Sequence, residues 1–233
     1  LTKIIKSWED LCALTRKAAE EGGWIFRGQS HGKTLRPKIG RASSRKGRFD
    51  DKEQPFCAKL ERQMFERFKD ASRPFLNIEP TNDLEWLVIG QHHGLPTRLL
   101  DWTESLFVAA FFACEYGVAD NRQPCIYAAR NINILPPDDD CRQRPFDLTS
   151  TVAFRPAHIS PNVAPQMSVF TLHHEPDVDY SSEQLIKLDF EPKTLPFQIK
   201  QYLNQCGVNR ASLFPGIDGL AAHIGWSYKR GVL

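Results

Sequence analysis

Several of the short signatures that announce a chemistry are missing from this chain of 233 residues. Gly-x-x-x-x-Gly-Lys-Ser/Thr and Gly-x-Gly-x-x-Gly are both absent, so the usual phosphate-cradling loops are not available. The six cysteines, Cys12, Cys57, Cys114, Cys125, Cys141 and Cys206, form no Cys-x-x-Cys and no zinc-finger spacing. Cys12, Cys57, Cys114 and Cys206 fall in apolar helical patterns, as buried free thiols do, and a nucleophile-based hydrolase therefore fits poorly. No run reaches the roughly 18 apolar residues of a membrane span, and no signal peptide is legible. The expectation is a protein of the reducing cytoplasm with no membrane partner. A net charge of only +2 gives a whole-chain field too weak to imply nucleic acid.

What is present points to a compact protein. Hydrophobic residues make up 41% and aromatics 11%, enough to build a core and to set disorder aside. Ser7 caps a helix over Trp8–Glu21 that Gly22-Gly23 stops, and Trp24–Arg27 reads as a strand ending in Gly28. Pro55 opens a second helix through about Asp70, with Phe56, Leu60, Met64 and Phe68 as its apolar stripe. A third runs from about Asn82 to Gln91. Leu99–Trp102 is extended, and Thr103 or Ser105 caps the apolar helix Leu106–Tyr116. Strands follow at Cys125–Ala129, Thr151–Phe154, Met167–His173 and Leu185–Phe190, then helices at Pro196–Gln205 and Asp218–Gly225. This order predicts one α+β domain over 1–233, with a helical part over 1–116 and a strand-rich part over 117–233. Its central sheet is mixed, mostly antiparallel and flanked by helices.

Polar residues concentrate at element ends. Arg27, at a strand end beside Gly28, Gln29 and Ser30, is either a structural ion pair or a fork for phosphate or carboxylate. Gly28 lets a ligand or another backbone come close. The segment Gln91–Tyr116 sets two histidines, Arg98, Asp101 and Thr103 against a buried helix, as a site braced by a rigid element would be. Arg98 and Asp101 are expected to be partly buried and paired, either as a structural bridge or with Asp101 orienting Arg98, or Arg27, towards an anion. His92-His93 and His173-His174 lack the i, i+4 spacing of helical zinc pairs, so no metal is expected. The run Lys33–Arg48 holds seven cations and no acid, which reads as a solvated loop or as a contact for phosphate or nucleic acid.

Phe26-Arg27-Gly28, Gln91–Thr103 and Ala109–Ala113 together resemble the FRG domain, a family named for its Phe/Tyr-Arg-Gly motif. Gln166-Met167-Ser168-Val169-Phe170-Thr171 is similar to its Gln-x-Gly-x-Phe-Thr strand, with Ser168 in place of glycine. Ser212–Gly219 resembles its closing block. The order of these blocks is similar to ADP-ribosyltransferases, and what that implies is a split sheet with NAD as substrate. Arg27, Gly28, Gln29, Arg98 and Asp101 would then bind the cofactor, with Gln166, Thr103 and His93 as the catalytic set. Glutamine at 166 departs from the glutamate expected there, and Glu175 lies several residues beyond it. The alternative is a non-catalytic module that binds a nucleotide, or nucleic acid through Lys33–Arg48.

Overall fold

The structure, a computed structural model, describes residues 2–41, 46–47, 52–115, 123–157 and 163–231. Seven strands among them form one mixed sheet: β1 (Thr2–Ile5), β2 (Trp24–Gln29), β3 (Leu99–Thr103), β4 (Cys125–Arg130), β5 (Val152–Phe154), β6 (Ser168–Leu172) and β7 (Ile186–Phe190). Their spatial order is β1-β7-β4-β2-β3-β6-β5. Only β1 and β7 run parallel; the other neighbours are antiparallel. The α+β class and the mostly antiparallel sheet flanked by helices agree with the sequence reading.

Local chemistry sets the helix starts. The Ser7 hydroxyl accepts from the Asp10 amide and opens α1 (Trp8–Glu21), and the Asn82 side chain does the same for Glu85 in α3 (Asp83–His92). Of the two candidate caps for α4 (Leu106–Cys114), Ser105 is the one used, accepting from the Val108 amide at 3.3 Å. The expected last residue of that helix, Tyr116, lies outside the described residues. The remaining helices are α2 (Ala58–Ser72), α5 (Leu195–Gln205), α6 (Arg210–Leu213) and α7 (Ile217–Arg230).

Helices cover one face of the sheet in two groups. Phe26, Ile126 and Leu188 pack with α1, α4 and α5, while Leu99, Phe170 and Leu172 pack with α2 and α3. A third cluster lies behind the strands, where Ile25, Leu100, Trp102 and Val169 meet Leu35 and Tyr180. Residues alternate between these faces as a pleat requires.

Some boundaries differ from expectation. α2 starts at Ala58, leaving Pro55 and Phe56 outside, and its buried positions are Glu61 and Phe65, whereas Leu60 is exposed. α7 continues to Arg230, past the expected end at Gly225. Cys206 is exposed at the end of α5, and Cys12 and Cys57 are only half-buried, so Cys114 alone of the four expected thiols is fully covered.

Candidate functional site

The sheet opens between β2 and β3. The two strands share one register pair, Phe26 with Thr103, and beyond it the ladder is not continued. The Asp101 carbonyl, which a longer ladder would pair with β2, accepts instead from Arg27 Nη1 at 2.6 Å. The same nitrogen donates to Asp101 Oδ2 at 3.2 Å, so the guanidinium bridges the gap. Over this gap, between the two groups of helices, lies a cleft of about 260 Å³. Phe26, Gly28, Asp101, Thr103, Ser168 and Phe170 supply its floor from β2, β3 and β6, with Phe112 of α4 and His92 of α3 as walls.

Arg27 makes its bonds within the protein through Nη1, and its buried Nε has no partner. An unpaired buried N–H is costly, and this one is not offset by any bond among the described residues. Asp101 is half exposed and is held from two sides, by Arg27 and by Gln91 Nε2 at 3.1 Å. Gln91 is oriented in turn by the Thr97 hydroxyl, which donates to its Oε1. Among the lining residues of the cleft, Asp101 is the one carboxylate.

His92, not His93, faces the cleft. His93 caps the C-terminal end of α3 and is exposed, because the helix ends there and turns the second ring outward. The His92 ring lies 5.9 Å from the Phe170 ring, and its Nδ1 is buried without a partner. Burial holds this imidazole below its ordinary pKa, partly offset by the carboxylate of Asp101.

The expected pairing of Arg98 with Asp101 does not form. Arg98 lies just before β3, and its side chain reaches α2 rather than its neighbour in the strand. Arg98 is buried against Glu61 of α2, with Nε and Nη2 on the two carboxylate oxygens at 2.9 and 2.5 Å, and Nη1 donates to the His173 carbonyl. It stacks over Phe146 and lies outside the cleft lining. Asp101 belongs with Arg27 instead.

The other named residues divide. Thr103 lines the cleft, but its hydroxyl donates to the Gln166 carbonyl at 2.7 Å and accepts from the Ser105 amide, so it holds the start of α4. Gln166 lines the cleft with its amide nitrogen tied to the Leu213 carbonyl at 3.0 Å. Gln29 does not line it; its side-chain amide lies beside the Lys33 and His31 carbonyls of the following loop, to which it donates once its nitrogen is turned towards them. Gly28 is required by a backbone, since a Cβ there would collide with the Ala109 carbonyl and the Ala113 amide of α4. Glu175 is exposed beside His174.

Reading the sequence for these groups passes over several that the cleft contains. Phe112, Ser168 and Phe170 are among them, and Gln91 supports Asp101 from behind. It also passes over Gly28-Gln29-Ser30-His31-Gly32, which has the Gly-x-Ser-x-Gly spacing. That motif needs a strand turning sharply into a helix. Here β2 ends at Gln29 and a loop follows, with the Ser30 hydroxyl 2.9 Å from Nδ1 of its own neighbour His31.

Within the basic run, Arg36 pairs with Asp179 at 2.7 Å, Lys38 donates to the Gly94 carbonyl and Arg41 to the Arg36 carbonyl. Burial and the nearby charge of Arg27 push the Arg41 guanidinium below its ordinary pKa. Arg45 and Arg48 lie outside the described residues. Among the described residues no three His, Cys, Asp or Glu side chains come together to hold a metal ion, and no helix is long and apolar enough to cross a membrane.

Fold and site together define an α+β protein with a cleft of about 260 Å³ where a mixed sheet opens. Residues 22–122 match the family model of the FRG domain, so the chain carries an FRG domain. The match takes in Arg27, Arg98 and Asp101 and leaves Gln166–Thr171 and Ser212–Gly219 outside it. No curated protein and no solved structure matches the chain.

Proposed function

We propose that the cleft between β2 and β3 binds NAD and that the protein is an ADP-ribosyltransferase-like enzyme. The observation that carries this reading is the pairing of Arg27 and Asp101 across the opened strands, an anion fork beside the one carboxylate of an aromatic-walled cleft. Phe26, Phe112 and Phe170 offer flat apolar surface for a pyridinium ring, and Arg27 offers donors for a phosphate. The enclosed volume of about 260 Å³ suits one half of a dinucleotide. Whole-ligand pockets run to roughly 300–1,000 Å³, so the other half would lie along the open side.

The chemistry follows from those groups. The bond between ribose C1′ and the nicotinamide nitrogen breaks with its electron pair going to the ring, which leaves neutral. Positive charge moves to C1′ and the ring oxygen, and the Asp101 carboxylate stabilises it without forming a bond. An acceptor or water then forms the new bond at C1′ and gives its proton to solvent. Gln166 has no basicity to contribute, and its tether to Leu213 makes it a fixed wall that can donate or accept at a ribose hydroxyl.

Calorimetry with NAD and chromatography for released nicotinamide test this. Binding and slow release are expected for the chain as it stands, with release lost and binding retained in Asp101→Asn. No heat and no nicotinamide would remove the reading. The reading as a nucleic-acid module has less support, because Arg36, Lys38 and Arg41 of the basic run are engaged within the protein.

A further inference from the structure

The last helix carries an apolar face that the fold leaves uncovered. α7 docks through Gly219, which lies against the Phe214 carbonyl, through Trp226, whose ring receives the Lys200 ammonium at 5.4 Å, and through Arg230, 4.2 Å from the Phe197 ring. On its other side Ile217, Leu220, Ile224 and Tyr228 are 82, 49, 48 and 74% exposed. Steps of three, four and four residues put them in one stripe along the helix. Isolated exposed apolar residues are ordinary, but an aligned stripe of four marks a contact surface.

Gly225 adds an independent observation. It lies in the middle of α7, where glycine weakens a helix, and a Cβ there would meet nothing within 4 Å. The packing of a single copy therefore gives no reason for it. Gly225 and Ala221, one turn apart beside the stripe, lower the surface so that a second backbone can come close.

Charge indicates what that second backbone is. Asp218 and Lys229 stand at opposite ends of the stripe, about three turns apart and so on the same flank of it. No ion pair engages either one among the described residues. Rotation by a two-fold axis brings two α7 helices together antiparallel. Ile217 then meets Tyr228 of the second copy and Leu220 meets Ile224, while Asp218 faces Lys229 in both directions. The face is complementary to itself, and the helix dipoles oppose each other favourably. We propose that α7 is the interface of a homodimer built from two antiparallel α7 helices.

Sedimentation velocity on the full chain tests this, over about 1–100 μM to cover the affinity of a small interface. A concentration-dependent dimer is expected. Ile224→Glu and Gly225→Glu should both give monomer with unchanged circular dichroism, Gly225→Glu because that site is open to solvent. Asp218→Lys and Lys229→Asp should each weaken the dimer several-fold, and the two together should restore it, since the exchanged charges again face each other. A monomer at every concentration would overturn the proposal, as would a dimer that survives Ile224→Glu. A monomer that floats with phosphatidylcholine–phosphatidylglycerol vesicles through the same residues would make this a lipid-facing surface instead.

Discussion

Arg27 and Arg98 belong to the same stretch of the family match but do different work. Arg98 is 4% exposed against a Glu61 that is 2% exposed, so each charge depends on the other for its solvation. Removing one strands its partner. Glu61→Ala should cost about 3–5 kcal/mol in urea denaturation, and Arg98→Ala a similar amount. The Arg27–Asp101 pair is different, because Asp101 is 51% exposed and water can replace Arg27 around it. Asp101→Ala should cost no more than about 1 kcal/mol, although its place beside an arginine three residues away suggests a buried bridge. Arg27→Ala should likewise leave the melt nearly unchanged while removing NAD binding in calorimetry. If Arg27→Ala unfolds the protein as readily as Glu61→Ala, its role is structural.

Elements position these groups, and the closest fit is where β2 passes under α4. Gly28→Ala drives a methyl group into the backbone of Ala109 and Ala113, which cannot swing aside as a long side chain would. Lifting α4 should cost about 1–3 kcal/mol, and since α4 carries Phe112, ligand binding should weaken with it. A thermal melt and a titration on the same variant check both. The elements themselves are largely legible from the sequence, since Ser7, Asn82 and Ser105 announce helix starts and the alternation in Val169–Thr171 announces a strand. β1 is not, because four residues with Lys3 among them gain strand character only by pairing with β7 at the far end of the chain. Glu61 escapes for a sharper reason. Apolar periodicity assigns the buried stripe of α2 to Leu60 and Met64, and a glutamate enters the core only because Arg98 is waiting there. The cleft is half legible: Arg27, Asp101, Thr103 and Gln166 are visible as polar residues at element ends. Which histidine faces inward depends on the turn after α3, and which arginine meets Asp101 depends on strand register.

At the scale of the whole molecule, the buried imidazoles make stability depend on pH in the mildly acidic range. His173 is 2% exposed. Its Nε2 sits 2.8 Å from the Thr171 hydroxyl, which accepts from Trp102 Nε1 and so has its own hydrogen free for the ring. Burial first, and then the charges of Arg27, His174 and Arg98, hold its pKa down to about 3. His92 is shifted in the same direction by burial. The folded state therefore keeps His173 neutral, while the unfolded chain takes up a proton below its ordinary value of about 6.5. Stability is complete above about pH 6.5 and falls as the pH drops towards 3, where the folded ring titrates as well. Between pH 7 and pH 5 the loss from His173 alone should be about 2 kcal/mol. Most carboxylates stay ionised in that interval, so it isolates the histidines. His173→Gln keeps an oxygen to accept from Thr171 and removes the titration. Urea denaturation at pH 7 and pH 5 should then show a shallower loss in the variant than in the wild type. Equal slopes would mean that the His173 ring is protonated in the folded protein and that the polar chain from Trp102 through Thr171 ends elsewhere.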